Sequence, residues 1–305
     1  MDVLLLHNES AGDEEHSREK LVALLKRHGH RVTYATPNEG LADAKRVKRC
    51  ELIVAAGGDG TVRKVVTHEA ARTRPVAILP LGTANNIARS LGLSQELPEI
   101  VATWQDASPR PLDLGIAKGP WGRTTFVEGL GFGLIGRTIA ILDALDARAD
   151  HEFPSPEDKL HRDKCVLAAL THEMPPVKAR VTVAGERTKD EFLLLEILNI
   201  SRAGPGVVLA RDADPGDGWL NLVTVPVEER EKLIRQFERH AGGKRSSRFR
   251  EVAVRKLTLE VHACELRIDD KIALKPVHFR EFKDERARIE VKLEPGAVQL
   301  LAPSK

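Results

Sequence analysis

The chain is poor in cysteine, in long apolar runs and in charge of one sign, and each shortage removes a class of protein. Its 305 residues include 3 cysteines, Cys50, Cys165 and Cys264, which are odd in number and far apart. That pattern excludes a disulfide scaffold and a clustered zinc site, and it fits a reducing cytoplasm. No apolar stretch is long enough to span a bilayer, so any membrane contact is expected to be peripheral. The segment after Met1 and Asp2 runs directly into a short apolar strand and has no basic leader, which reads against a signal peptide. Lys plus Arg number 47 against 45 Asp plus Glu, for a formal net charge of +2. Such a balance leaves no footprint for specific nucleic-acid binding. What the chain does have is 42% hydrophobic and 30% charged residues, enough for a sizeable core under a hydrated surface. Its length suggests two domains.

The first third alternates short apolar runs with helical patterns. Strands are predicted over 3–6, 31–35, 52–56 and 76–79. Between them, Leu21, Val22, Leu24 and Leu25 form a helical stripe ended by Gly29, and further helices are predicted over 41–48, 62–71 and 85–91. This βαβα order predicts a Rossmann-like, mostly parallel sheet covered on both faces. Ligands of such sheets sit beyond the carboxyl ends of the strands.

Two strand-to-helix turns stand at that end. The first is Gly57, Gly58, Asp59, Gly60, Thr61, directly after the apolar run 52–56. Glycines admit a ligand close to the backbone, and amides at the following helix start can face a phosphate. Asp59 can act through a metal ion, position a hydroxyl, or cap a helix; Asp59 or Thr61 as a plain helix cap is the simpler alternative. The second turn is Pro80, Leu81, Gly82, Thr83, Ala84, Asn85, Asn86. Thr83 can bond a phosphate or an adenine edge, and both Thr83 and Asn85 can cap. Neither turn has the Walker A lysine or the glycine spacing of the dinucleotide fingerprint. Together, at one end of one sheet, they point to a nucleotide.

Beyond 109–111 strands dominate. They are predicted over 112–117, 124–130, 177–184, 192–199, 220–225, 252–261, 275–282 and 288–292, with helices over 135–148, 159–172 and 228–240. Gly and Pro punctuate them, which suggests an antiparallel sandwich. The glycine-rich stretch 129–136 either shapes a cleft or is a compact crossing, and the polar link 148–158 is a lid or a surface loop. Asp212, Asp214 and Asp217 crowd one turn, as a calcium or magnesium site or as a solvated acidic loop. The basic run 242–248 can touch anionic lipid headgroups or simply face water. His7, His68 and His278 are isolated in sequence and are not promoted to ligands.

The order of these motifs resembles the diacylglycerol kinase catalytic family, which includes bacterial soluble lipid kinases and sphingosine kinases. The likeness rests on Gly57 to Thr61, on Pro80 to Asn85 with Ala88 and Arg89, on Asn8 to Gly12 as a first phosphate-side loop, on Asp214 to Leu220, and on the ending from Pro295 to Pro303. NAD kinases share the Gly-Gly-Asp-Gly-Thr motif, but the Pro-Leu-Gly-Thr-Ala-Asn form favours the lipid-kinase branch. The resemblance implies an α/β nucleotide-binding domain over 1–110, a mainly β, antiparallel sandwich-like acceptor domain over 111–294, and a terminal segment, 295–305, returning to the first domain. It implies ATP held in an interdomain cleft by Asn8, Thr36, Gly57, Gly58, Asp59, Gly60, Thr61, Gly82, Thr83 and Asn85, and Mg2+ near Asp214, Asp217 and Trp219. The acceptor would be a lipid alcohol. A cytoplasmic location, peripheral contact with anionic membrane and a homodimer are compatible with it.

Several positions depart from the family pattern. Arg63 and Lys64 stand where the family has Asn-Glu, Asn86 where it has Asp, and Glu9 where it has Pro. The family's late Asp-Gly-Glu, whose glutamate is assigned as general base, is matched by Asp269, Asp270, Lys271. A lysine cannot take over a glutamate's proton-accepting role without a large pKa change. Asp269 or Asp270 is the replacement to expect, together with Asp59 as a catalytic candidate. Glu265 nearby would serve if the motif is displaced. A nucleotide-binding regulator without transfer and an NAD kinase-like enzyme are the alternatives.

Overall fold

The computed structural model describes residues 1–9, 16–148, 153, 155–244, 247–282 and 286–302. Ser10, Ala11 and Gly12 of the first loop, 149–152 and Pro154 of the polar link, Arg245 and Ser246 of the basic run, and Pro303 of the ending lie outside the described residues. The chain divides into two compact units. The first comprises Met1–Leu114, Pro215–Asp217 and Glu294–Lys305, and the second Gly115–Asp214 and Gly218–Leu293.

The first unit contains β1 (Asp2–His7), α1 (Arg18–Arg27), β2 (Arg31–Ala35), α2 (Pro37–Ala42), α3 (Ala44–Arg49), β3 (Leu52–Gly57), α4 (Asp59–Val66), β4 (Val76–Pro80), α5 (Asn86–Ser90) and α6 (Leu97–Thr103). Its strands are parallel: β2 pairs β1, β1 pairs β3 and β3 pairs β4. Every residue of β3 is buried, as a strand covered on both faces requires. The expected helix over 41–48 is broken at Asp43, whose carboxylate accepts from the amides of Lys45 and Arg46 and so caps α3. A side chain that bonds its own following backbone competes with a continuous helix.

The second unit contains the second half of β5 (Arg110–Gly119), then β6 (Gly122–Phe126), β7 (Gly129–Gly133), α7 (Leu134–Asp146), α8 (Pro156–Glu173), β8 (Val177–Val183), β9 (Glu186–Leu198), the short pair β10 (Arg202–Ala203) and β11 (Val207–Val208), β12 (Leu220–Pro226), α9 (Arg230–Ala241), β13 (Glu251–Val254), β14 (Lys256–His262), β15 (Leu266–Ile268), β16 (Lys271–Leu274) and the first half of β17 (Arg286–Leu300). Its strands pair antiparallel in the order β16-β15-β7-β9-β8-β14-β17. One apolar cluster, with Phe126, Phe132, Leu195 and Ile289, packs among these strands. A second joins α7, α8 and α9 to β9 and β12 through Leu134, Leu167, Phe237 and Val223. The α/β unit followed by a β-rich antiparallel unit is the fold class expected from the sequence. The expected strand over 275–282 is instead a 3-10 turn, Pro276–Glu281. Pro276 has no amide to give a ladder, and the His278 ring accepts from the amide of Lys275. The expected strand over 252–261 is split at Arg255 into β13 and β14.

The last part of β17 belongs to the first unit, where Leu300 pairs in parallel with Val76 of β4. Asp113 accepts from the amide of Gly296 at 2.6 Å, and Arg72 makes a two-pronged ion pair with Glu294.

His30 is buried beside Trp104, and neither ring nitrogen has a partner among the described residues. Burial therefore holds its pKa below the ordinary imidazole value. The unfolded chain takes up this proton near pH 6.5 while the folded chain resists it. Stability should be full above that pH and fall as the pH drops from there toward the lowered folded value. Urea titrations at pH 8 and pH 5.5 should show His30→Leu as stable as the parent or more so, by about 1 kcal/mol, with a shallower acid-side loss.

Candidate functional site

The nucleotide-side residues expected from the sequence converge at one edge. Asn8 follows β1, Thr36 follows β2, Gly57 ends β3 and Gly82 to Asn85 follow β4, so all lie at the carboxyl ends of adjacent parallel strands. This is where an open α/β sheet binds its ligands.

The two glycine turns are packed backbone against backbone. A Cβ placed on Gly82 would lie 2.5 Å from the Gly58 Cα, and the Leu81 amide donates to the Gly57 carbonyl at 3.1 Å. A Cβ on Gly57 would meet the Thr61 side chain at 2.5 Å. Only glycine fits at these contacts. Gly58 is the N-cap of α4 and no side chain caps that helix. Its first turn thus presents backbone rather than a capping oxygen to the edge.

Asp59 fills one of the roles open to it, but on a neighbouring helix. Its Oδ2 accepts from the Asn86 amide at 2.8 Å and its Oδ1 from the Ile87 amide at 2.9 Å, so it caps α5 from the start of α4. Asn85, in the left-handed region at φ 47, folds back on its own turn instead: its Oδ1 accepts from the Gly82 amide and its Nδ2 donates to the Gly82 carbonyl. The Thr83 hydroxyl is half-buried and makes no hydrogen bond among the described residues. Thr36 sits in a capping box with Glu39, its hydroxyl donating to the Glu39 carboxylate at 2.8 Å. It also lines a cavity of about 460 Å³ with Glu9, Tyr34 and Asp43. Tyr34 donates to Glu9 at 2.6 Å, and desolvation followed by that bond pushes its hydroxyl pKa up.

The motif carboxylates 269 and 270 have different environments. Asp269 is fully buried at φ 53, and its carboxylate accepts from the backbone amides of Val127, Glu128 and Gly129. Its own carbonyl accepts from Arg267, whose guanidinium is in turn paired with Glu196 at 2.6 Å. Both members of that pair have 0% side-chain exposure. Burial drives the Glu196 carboxyl upward against the pull of Arg267, while the short charge-assisted contact keeps the guanidinium charged. Asp269 is therefore a clamp on the 127–129 turn, whereas Asp270 and Lys271 are exposed. Sequence reasoning missed Asp143 on α7. Its pKa is raised by burial first, then by the negative charges of Asp146 and Asp270, so it shares a field with the exposed motif carboxylate. Helical periodicity marks Asp143 only as a polar position, and nothing in the sequence signals that neighbourhood. Glu265 is buried and committed to Arg137 at 2.6 Å.

The acidic turn does not gather into a cage. Asp212 pairs with Arg248, and the Arg211 and Asp212 amides both donate to Glu251. Asp217 belongs to the first unit and Asp214 to the second. Trp219 lies under the Arg255 guanidinium, 4.4 Å from its ring centroid. Among the described residues, no group of three or more His, Cys, Asp or Glu side chains is placed to hold a metal ion.

Residues 2–117 match the diacylglycerol kinase catalytic domain, and residues 139–302 match the YegS C-terminal NAD kinase beta sandwich-like domain. The chain belongs to the YegS-like branch of the diacylglycerol kinase family. A Pseudomonas aeruginosa protein named "probable lipid kinase YegS-like" is 29% identical over 313 residues, covering 99% of this chain and 94% of the relative. A Bacillus subtilis diacylglycerol kinase is 26% identical over 218 residues, 68% of this chain and 65% of the relative. A solved Bacillus anthracis diacylglycerol kinase superposes with a TM-score of 0.65 at 18% identity, over 99% of this chain and 97% of that one. That likeness speaks to the fold alone. No helix among the described residues is long and apolar enough to cross a membrane.

Asp269→Ala strips three buried amides of their acceptor and should cost on the order of 2–4 kcal/mol of unfolding free energy. Asp270→Ala, at an exposed position, should stay within about 0.5 kcal/mol. Chemical denaturation of the two variants beside the parent checks the contrast.

Proposed function

We propose that this chain transfers the terminal phosphate of ATP to the hydroxyl of a glycerolipid of the diacylglycerol class. The observation that carries the reading is the glycine-to-glycine approach of the two turns, a cradle that a single Cβ would fill, at the ligand edge of the sheet. Phosphoryl transfer asks little covalent chemistry of a protein; it asks for positioning and charge stabilisation. Backbone of the 57–61 and 82–85 turns would hold the phosphates, and Thr83, whose hydroxyl is uncommitted among the described residues, would add a side-chain bond. Asp59 would act mainly by fixing the two turns together through the Asn86 and Ile87 amides.

The acceptor hydroxyl loses its proton as its oxygen bonds to the transferred phosphorus and the bond to the departing diphosphate breaks. A carboxylate must receive that proton. Asp269 is unsuited, because its oxygens already serve three amides. Asp270 is the exposed carboxylate of the motif and takes that role in our reading, with Asp143 modulating its field. The described residues do not fit a protein-built magnesium cage. Magnesium held largely by phosphates and water needs only one or two protein oxygens, for which we propose the 214–217 turn.

A second reading, nucleotide binding without transfer, is favoured by one observation. The family's glutamate position is Lys271, and the buried Asp269 is structural. Magnesium-dependent transfer of labelled γ-phosphate to a mixed lipid extract separates the two. Transfer by the parent, with Asp270→Ala reduced about 10²-fold or more at unchanged stability, is the expected result. Gly82→Ala should lose nucleotide binding in equilibrium dialysis. Retained ATP binding with no labelled lipid would establish the second reading instead.

A further inference from the structure

The second unit carries a basic sheet face that phosphate transfer does not use. In β8, β14 and β17 one set of alternating residues is buried, for example Val181, Leu259 and Ile289. The other set points to solvent, in cross-strand rows set by the register. Lys256 stands opposite Lys292, Glu260 opposite both Arg288 and Arg180, and His262 opposite Arg286. The start of β9 adds Arg187, Lys189 and Glu191, with Glu191 opposite Lys178. Eight Lys and Arg side chains thus share a face with three carboxylates, in a chain whose formal net charge is only +2.

All three carboxylates are already engaged, in the pairs Lys178–Glu191, Arg180–Glu260 and Arg288–Glu290. The other five cations have no ion-pair partner among the described residues. Lys256 and Lys292 are the clearest case, because like charges directly opposed in an antiparallel pair destabilise the ladder. Both line a cavity of about 800 Å³. Lys118 and Arg123 of the β5–β6 hairpin line it as well, also without an ion-pair partner among the described residues. Glu290, already paired with Arg288, lines it too, while Ile116, Leu257 and Val291 border it as buried residues. Four cations against one carboxylate that is already paired suit an anionic group. The open sheet beside it suits an array of such groups rather than one small anion. Among the described residues, the outward set of β8, β14, β17 and the start of β9 has no Phe, Tyr or Trp on which a base could stack, which disfavours single-stranded nucleic acid.

We propose that this face docks on membranes containing anionic phospholipid, with one headgroup phosphate seated among Lys118, Arg123, Lys256 and Lys292. Docking requires no nucleotide, so it stands or falls apart from the kinase reading. The full chain, without nucleotide, should co-sediment with vesicles of phosphatidylcholine mixed with phosphatidylglycerol and not with vesicles of phosphatidylcholine alone. Added salt should weaken the binding. Each cation near an anionic leaflet is worth about fivefold in affinity, so Lys256→Gln with Lys292→Gln should weaken it on the order of tenfold or more. Lys45→Gln with Lys48→Gln, which removes the same charge from α3, should leave it unchanged. Thermal melts confirm that both double variants are folded. Equal sedimentation with both vesicle types, no sedimentation with either, or an equal loss in the α3 variant would overturn the proposal. So would competition by millimolar inorganic phosphate that abolishes vesicle binding, which would mark a free-phosphate site. Binding to an oligonucleotide but not to vesicles would likewise count against it.

Discussion

A single buried cation organises the heart of the second unit. Arg267 reaches Glu196 on β9 with two nitrogens and the Asp269 carbonyl with the third, and Asp269 in turn gathers the amides of 127–129. Removing either charge would strand its partner in a medium where an unpaired charge is expensive. Gly131 belongs to the same constraint, since a Cβ there would overlap the Glu196 carboxylate. The strand β7, the central strand β9 and the β15–β16 hairpin are therefore locked to one another by polar bonds inside an apolar cluster. This lock explains why two adjacent aspartates diverge: the first is consumed by architecture, and the second is left at the surface with Lys271.

The first unit is organised by closeness of backbone rather than by charge. Gly58 and Gly82 touch, and Asp59 ties the helix that follows one turn to the helix that follows the other. Capping and ligand binding draw on the same asset, the unsatisfied amides at helix starts. Here the carboxylate satisfies α5, while α4 is left without a side-chain cap. The proposed function assigns that uncapped helix start to a phosphate.

Charge, nearly neutral over the whole chain, is unevenly spread in space. The basic residues of 178–189 and 256–292 are far apart in sequence, and they become one surface only through the pairing of β8, β9, β14 and β17. A net charge of +2 is thus a sum over a surface with strong local polarity, and composition could not reveal it.

The sequence by itself determined the class of fold and brought the two glycine turns to one edge of the sheet. Alternating apolar runs, helical stripes and Gly-rich turns are local signals, and the residues 57–61 and 82–85 are each only a few positions long. It misjudged 275–282, where Pro276 outweighs an apolar pattern, and the 41–48 helix, where the Asp43 side chain ends one helix and starts the next. Only the tertiary structure decided which carboxylates are available. Asp269 and Asp270 are indistinguishable as letters, and their difference comes from three amides some 140 positions away in the chain. The field around Asp143 and the opposition of Lys256 to Lys292 are of the same kind. Burial, partners and charge density arise from long-range contacts, and no local pattern encodes them.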